Sequence, residues 1–83
     1  MQKNKYIILF FTQYGAISYS KKLAKDGIEN STRPVPRSLS SSCGICVQAE
    51  TQRDLMLFLT EDVEKLCIEK DGGYQTLYEN EEQ

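Results

Sequence analysis

The sequence predicts an α+β protein with a ferredoxin-like βαββαβ order, a four-stranded antiparallel sheet carrying two helices on one face. Three observations predict it. Short runs rich in β-branched and aromatic residues alternate with stretches whose apolar positions recur at helical spacing. Glycine- and proline-bearing breaks separate these stretches. Finally, 83 residues suffice for one hydrophobic core and leave no room for a second, so residues 1–83 are read as a single domain.

Residues 4–11 are continuously apolar after Lys5 and read as the first strand, buried on both faces or half-covered by a partner chain. Thr12 is a candidate N-cap. From it a helix runs to about residue 26, with Ala16, Ser20, Leu23, Ala24 and Gly27 on one stripe and Lys21, Lys22 and Lys25 elsewhere. Gly27 fits the C′ position, and Lys22 and Lys25 complement the helix dipole. Ile28 to Val35 read as a short second strand, because Pro34 and Pro36 cannot donate to a ladder. A polar loop, Pro36 to Ser42, leads to Gly44. There a third strand begins, in which Ile45, Val47 and Ala49 alternate with Cys46 and Gln48.

Residues 52–70 are expected to form the second helix, with Leu55, Leu59, Val63, Leu66 and Cys67 facing inward; the run Leu55 to Leu59 fits a short strand or a broken first turn equally well. Asp71-Gly72-Gly73 ends that helix. Tyr74, Thr76 and Tyr78 then alternate with Gln75 and Leu77 as the last strand, and Glu79 to Gln83 form a solvated, flexible acidic tail.

Composition narrows the function. The chain is 40% hydrophobic and 27% charged, with ten basic and twelve acidic residues and a net charge of -2, so it lacks the electrostatic footprint of a nucleic-acid binder. The aromatic residues form no basic-aromatic interleave and read as core or as a dimer face. The apolar run Tyr6 to Phe11 is shorter than a secretory h-region and far too short to span a bilayer, so no membrane association is expected. Localisation is therefore read as cytoplasmic, a compartment where structural disulfides are rare. There is no histidine, which removes Ser/His and Cys/His catalysis and histidine-metal sites.

What remains is Cys43-Gly44-Ile45-Cys46. The spacing is that of a redox dithiol, but here it opens a strand, which carries the two side chains apart, whereas the reactive dithiol of thioredoxin opens a helix. As a zinc site it is incomplete, since Cys67 supplies only a third ligand; neither a metal nor a cofactor is expected. Cys67 reads as a small buried hydrophobe, and Cys46 is balanced between that role and a second thiol. Cys43 closes a serine-rich loop and is the candidate reactive thiol. Arg37 and Arg33, with Ser40, Ser41, Ser42 and the backbone around Gly44, would stabilise an anion there, against the plainer reading of a solvated strand edge and a flexible connector.

The segment Arg33-Pro34-Val35-Pro36-Arg37-Ser38-Leu39-Ser40-Ser41-Ser42-Cys43-Gly44 resembles the DUF3343 family, described as putative selenium/sulfur carrier protein-like. The shared features are Pro-x-Pro-Arg, a hydrophobic residue two positions later, a small-residue turn, and Cys-Gly starting a strand. Two departures are Arg33 in place of an aliphatic residue and Cys46 in place of a small apolar one. Residues 50–60 also run longer than the family's link. The resemblance implies a carrier rather than an enzyme: Cys43 accepts sulfane sulfur or reduced selenium as a persulfide-type adduct and passes it on. Arg37 would hold the charge, and Gly44 would let the backbone approach closely. Donor and acceptor proteins of sulfur or selenium are the implied partners, with a homodimer through the sheet left open. Two alternatives stand beside this: a small binding or regulatory module without thiol chemistry, and a thiol-disulfide switch between Cys43 and Cys46.

Overall fold

The computed structural model describes residues 3–39 and 43–80. Five strands and one α-helix follow in the order β1 (Asn4–Phe10), α1 (Gln13–Lys25), β2 (Asn30–Pro34), β3 (Ile45–Thr51), β4 (Val63–Lys70) and β5 (Gly73–Glu79), with a short 3-10 turn at Leu55–Phe58. The strands form one sheet in the order β2-β3-β1-β4-β5, every neighbouring pair antiparallel. β1 and β2 therefore run parallel with β3 inserted between them, which is the split βαβ unit with α1 as its crossover. β3 and β4 are related in the same way around β1. No helix among the described residues is long and apolar enough to cross a membrane.

The first half follows local rules. Thr12 caps α1 by accepting a hydrogen bond from Gly15 N at 2.9 Å. At the other end, Ile28 N donates to Leu23 O at 2.9 Å and Gly27 N to Ala24 O at 3.0 Å, the paired bonds of a Schellman motif. The buried face of α1 consists of Gly15, Ala16, Tyr19 and Leu23, so Tyr19 takes the inward place that the sequence assigns to Ser20 and Ala24. Ser20 is pinned sideways instead: its hydroxyl donates to Asn30 Oδ1, and Asn30 Nδ2 returns a bond to Ser20 O at 3.1 Å.

The second half corrects the sequence-based expectation. The predicted four-stranded, two-helix ferredoxin-like arrangement is replaced by five strands and one α-helix, because residues 63–70 form β4 and not the end of a helix. The physical reason is a bulge. Phe10 pairs with Val63 but Leu9 with Lys65, so Glu64 is an extra residue. Val63 and Leu66, three apart, thereby land on one face of the strand, as they would on a helix. Leu66 and Cys67 are both fully buried, on opposite faces. Burying side chains of this size contributes about 1.5–3 kcal/mol each, whereas helix propensities differ by about 0.7 kcal/mol or less per residue. Burial on two faces between β1 and β5 wins.

Asp71-Gly72, read as the end of a helix, is the two-residue loop of the β4–β5 hairpin. Lys70 pairs with Gly73, and both loop residues have positive φ, 53° and 80°, as a type I′ turn requires. Glu79 belongs to β5, and Asn80 N donates to Glu64 O at 2.9 Å, so the expected tail does not begin at Glu79. Residues 81–83 lie outside the described residues.

Two cores result. On the helix side, Tyr6, Ile8 and Phe10 of β1 pack with Ala16, Tyr19, Leu23, Val47, Leu55, Val63 and Leu66. On the other face Ile7, Leu9, Cys46 and Cys67 are fully buried beneath Val35, Leu39 and Tyr74. That second face is covered by the loop after β2, not by a helix.

Candidate functional site

The loop that carries the cysteine motif is closed from both ends. Pro34 pairs with Ile45, and Val35 N donates to Gly44 O at 3.2 Å, which extends the β2–β3 ladder by one bond. Pro36 O accepts from Leu39 N at 3.0 Å, making a tight turn over Arg37 and Ser38. Leu39 and Val35 then face the second core. Proline rigidity at Pro34 and Pro36 lowers the entropy lost in holding this shape.

Cys43 stands where the loop rejoins the sheet. Gly44 follows it at φ 81°, a left-handed conformation that side chains other than glycine adopt at a cost of about 1–2 kcal/mol. Cys43 is half-buried and packs against the helix-side core. Its Sγ donates to Ile45 O at 3.2 Å, and its carbonyl accepts from Gln13 Nε2 at 3.4 Å. Gln13 is the first residue of α1, so the Cys43 segment lies beside the N-terminal end of that helix, where the peptide dipoles are positive. Asp62 occupies the other flank of the same turn, with its Cβ 2.7 Å from where a Cβ on Gly15 would sit.

The other two thiols are sealed. Cys46 and Cys67 are both 0% exposed, and no disulfide joins any of the three. Cys46 Sγ lies 3.7 Å from Pro34 O, and Cys67 Sγ 3.7 Å from Thr76 Oγ1. Burial pushes the Cys46 thiol up from its ordinary range; proximity to Cys43 adds to this, and Arg33 opposes it. Cys43 packs on the helix side of the sheet and Cys46 on the opposite side.

The two arginines divide between a strand and a turn. Arg33 pairs with Cys46 across β2 and β3, so it projects from the face opposite α1, and its Nε donates to Ser31 Oγ at 3.3 Å. Arg37 is exposed on the turn after β2. Ser42, with Ser40 and Ser41, lies outside the described residues. Gln13, which reaches Cys43 from thirty positions away in the chain, carries no signal in the sequence. Among the described residues no group of three or more His, Cys, Asp or Glu side chains converges as a metal site requires. A shallow groove lined by Lys3, Lys5, Asn30, Gln48 and Glu50 lies at the far end of β1 and β3 from Cys43.

A family model described as "Putative Se/S carrier protein-like" matches residues 5–79. The chain belongs to this family. No curated protein and no solved structure matches it. The span shared with the Se/S carrier-like family runs from β1 to the last residue of β5. It therefore includes Cys43, α1 and the β4–β5 hairpin alike.

Proposed function

We propose that this protein carries sulfane sulfur, or selenium at the same oxidation level, on Cys43 between a donor protein and an acceptor protein. One observation carries the reading: of the three cysteines, Cys43 alone keeps partial exposure, while Cys46 and Cys67 are sealed in the second core. Membership of the Se/S carrier-like family supports it.

Loading is a thiol exchange. After Cys43 Sγ loses its proton, it attacks the outer sulfur of a donor persulfide. The donor's S–S bond breaks as a new S–S bond forms, and the donor leaves as a thiolate, with no net oxidation. Delivery to the acceptor is the same exchange run onward. The perselenide analogue follows the same path, with the outer selenium under attack. Gln13 holds the Cys43 carbonyl and Gly44 opens the backbone after it, while the thiol's bond to Ile45 O has to break before the exchange begins; the exposed Arg37 is the cation proposed to meet the charge of the adduct. Cys46 is on the other side of the sheet, and the transfer proposed here uses a single thiol.

The test is persulfide transfer from a cysteine desulfurase supplied with cysteine, read by intact mass. Wild type gains one sulfur and Cys43→Ser gains none. Equal labelling of the two would remove the proposal.

A second reading is favoured by the Sγ bond to Ile45 O and the packing of Cys43 on the core: a binding module in which the thiol only closes the loop. Under that reading Cys43→Ser behaves as wild type in every transfer assay.

A further inference from the structure

The helix beside Cys43 carries an apolar surface that neither the core nor the thiol loop uses. α1 exposes Tyr14 at 78% and Ile17 at 48%, although its buried face is already complete with Gly15, Ala16, Tyr19 and Leu23. Helical spacing locates them. Gln13, Ile17 and Ser20 follow one flank at i, i+4 and i+7. Gln13 ends on the Cys43 carbonyl and Ser20 on Asn30 of β2, so Ile17 lies between these contacts, on the flank that faces Cys43 and the β2 edge. Tyr14 and Lys21 are next to it on the solvent side.

The charge of this region is one-sided. α1 contains no Asp or Glu, and Lys21, Lys22 and Lys25 are exposed on it. From Gln13 to Glu29 these three lysines stand against two acidic residues, Asp26 and Glu29, although the whole chain is net -2. Asp62 approaches the helix at Gly15, on the flank away from Gln13.

We infer that Tyr14, Ile17 and Lys21 form the docking surface for the protein that loads Cys43, and that this donor presents an apolar contact ringed by carboxylates. The inference rests on the carrier reading. Exposed apolar residues rimmed by charge mark association sites, and a basic rim steers an acidic partner in a salt-dependent way. The apolar contact supplies the short-range fit that brings a donor persulfide to Cys43.

The test separates docking from thiol chemistry. One arm loads the protein from a cysteine desulfurase of the same organism; the other loads it from glutathione persulfide, which needs no docking. Ile17→Glu is expected to slow desulfurase loading about ten-fold or more, on the scale of a lost interface anchor. Lys21→Glu slows it about three-fold and weakens its salt dependence. Glutathione persulfide loads both variants at the wild-type rate, which also certifies their folding. Fluorescence anisotropy of the Cys43→Ser protein with the desulfurase reads binding without transfer, and Ile17→Glu on that background is expected to lose it.

Unchanged desulfurase loading in Ile17→Glu overturns the docking inference, as does absence of wild-type binding. Self-association of the wild type that Ile17→Glu abolishes assigns the surface to a second copy and overturns it too. Failure of Cys43 to load from either donor sinks the carrier reading instead, with the binding measurement still judging the surface.

Discussion

The side-chain amide of Gln13, at the start of α1, donates to the main-chain carbonyl of Cys43 at 3.4 Å. It joins the helix to the loop that holds the candidate thiol, across a gap in sequence that no local rule spans.

Removing that tie should loosen the loop and leave the fold standing. A hydrogen bond of this kind contributes about 0.5–1.5 kcal/mol net, which corresponds to ~2- to 10-fold in a local opening equilibrium. Gln13→Ala is therefore expected to raise the alkylation rate of Cys43 by a factor in that range while shifting the urea midpoint little. An unchanged rate would mean that the bond does not hold the loop.

The three thiols should separate cleanly by reactivity. Cys46 and Cys67 have no exposure, and burial pushes the Cys46 thiol up, so each can react only after opening. Brief iodoacetamide treatment of the native protein is expected to add one label, at Cys43, and treatment in urea to add three. Native labelling of Cys46 on the same timescale would contradict its placement in the second core.

Gly15 is a packing requirement more than a helix residue. A Cβ there would meet Asp62 Cβ at 2.7 Å. Gly15→Ala gains about 1 kcal/mol in helix propensity but forces a contact that costs about 1–3 kcal/mol. Net destabilisation is expected in urea denaturation. A stabilised variant would show that the turn before β4 yields freely.

Tyr19 should give the protein an alkaline limit. Its hydroxyl is buried without a hydrogen-bond partner among the described residues, and its ring packs on Phe10 with centroids 5.2 Å apart. Burial, with a smaller effect from Tyr6, pushes its pKa up from 10.0 to about 12. The folded state thus binds the phenolic proton more tightly than the unfolded state does. That stability is fully present below pH 10 and falls as pH rises towards 12, by roughly 3 kcal/mol at most. Tyr19→Phe removes this slope. It also removes an unsatisfied buried hydroxyl, so the variant is expected to be at least as stable as wild type near pH 7. Urea midpoints at pH 7 and pH 11 for both proteins check the two claims together.

In the first half of the chain, the features that depend on near neighbours were announced by the residues. Thr12 as a cap and Gly27 as the helix stop are satisfied by bonds within a few positions, and β1 and β3 were legible from their own apolar run and alternation although their ladder partners lie far along the chain. The apolar spacing of Leu55, Leu59, Val63 and Leu66 also identified side chains that face the helix-side core. It did not identify their backbone. A bulge at Glu64 reproduces, on a strand, the three-residue interval that marks a helix, and the Asp71-Gly72 hairpin signal was absorbed into that helix as its end.

The sequence by itself therefore determined the mixed α+β class, most of the inward residues, the family and the one loop where a thiol meets glycine. Only the tertiary structure decided that residues 63–70 pair between β1 and β5, that Cys46 is sealed while Cys43 keeps partial exposure, and that Gln13 reaches Cys43. The reason is physical. Strand pairing and two-sided burial draw their free energy from partners far away in the chain, and each fully buried side chain contributes more than a residue's own preference for helix or strand.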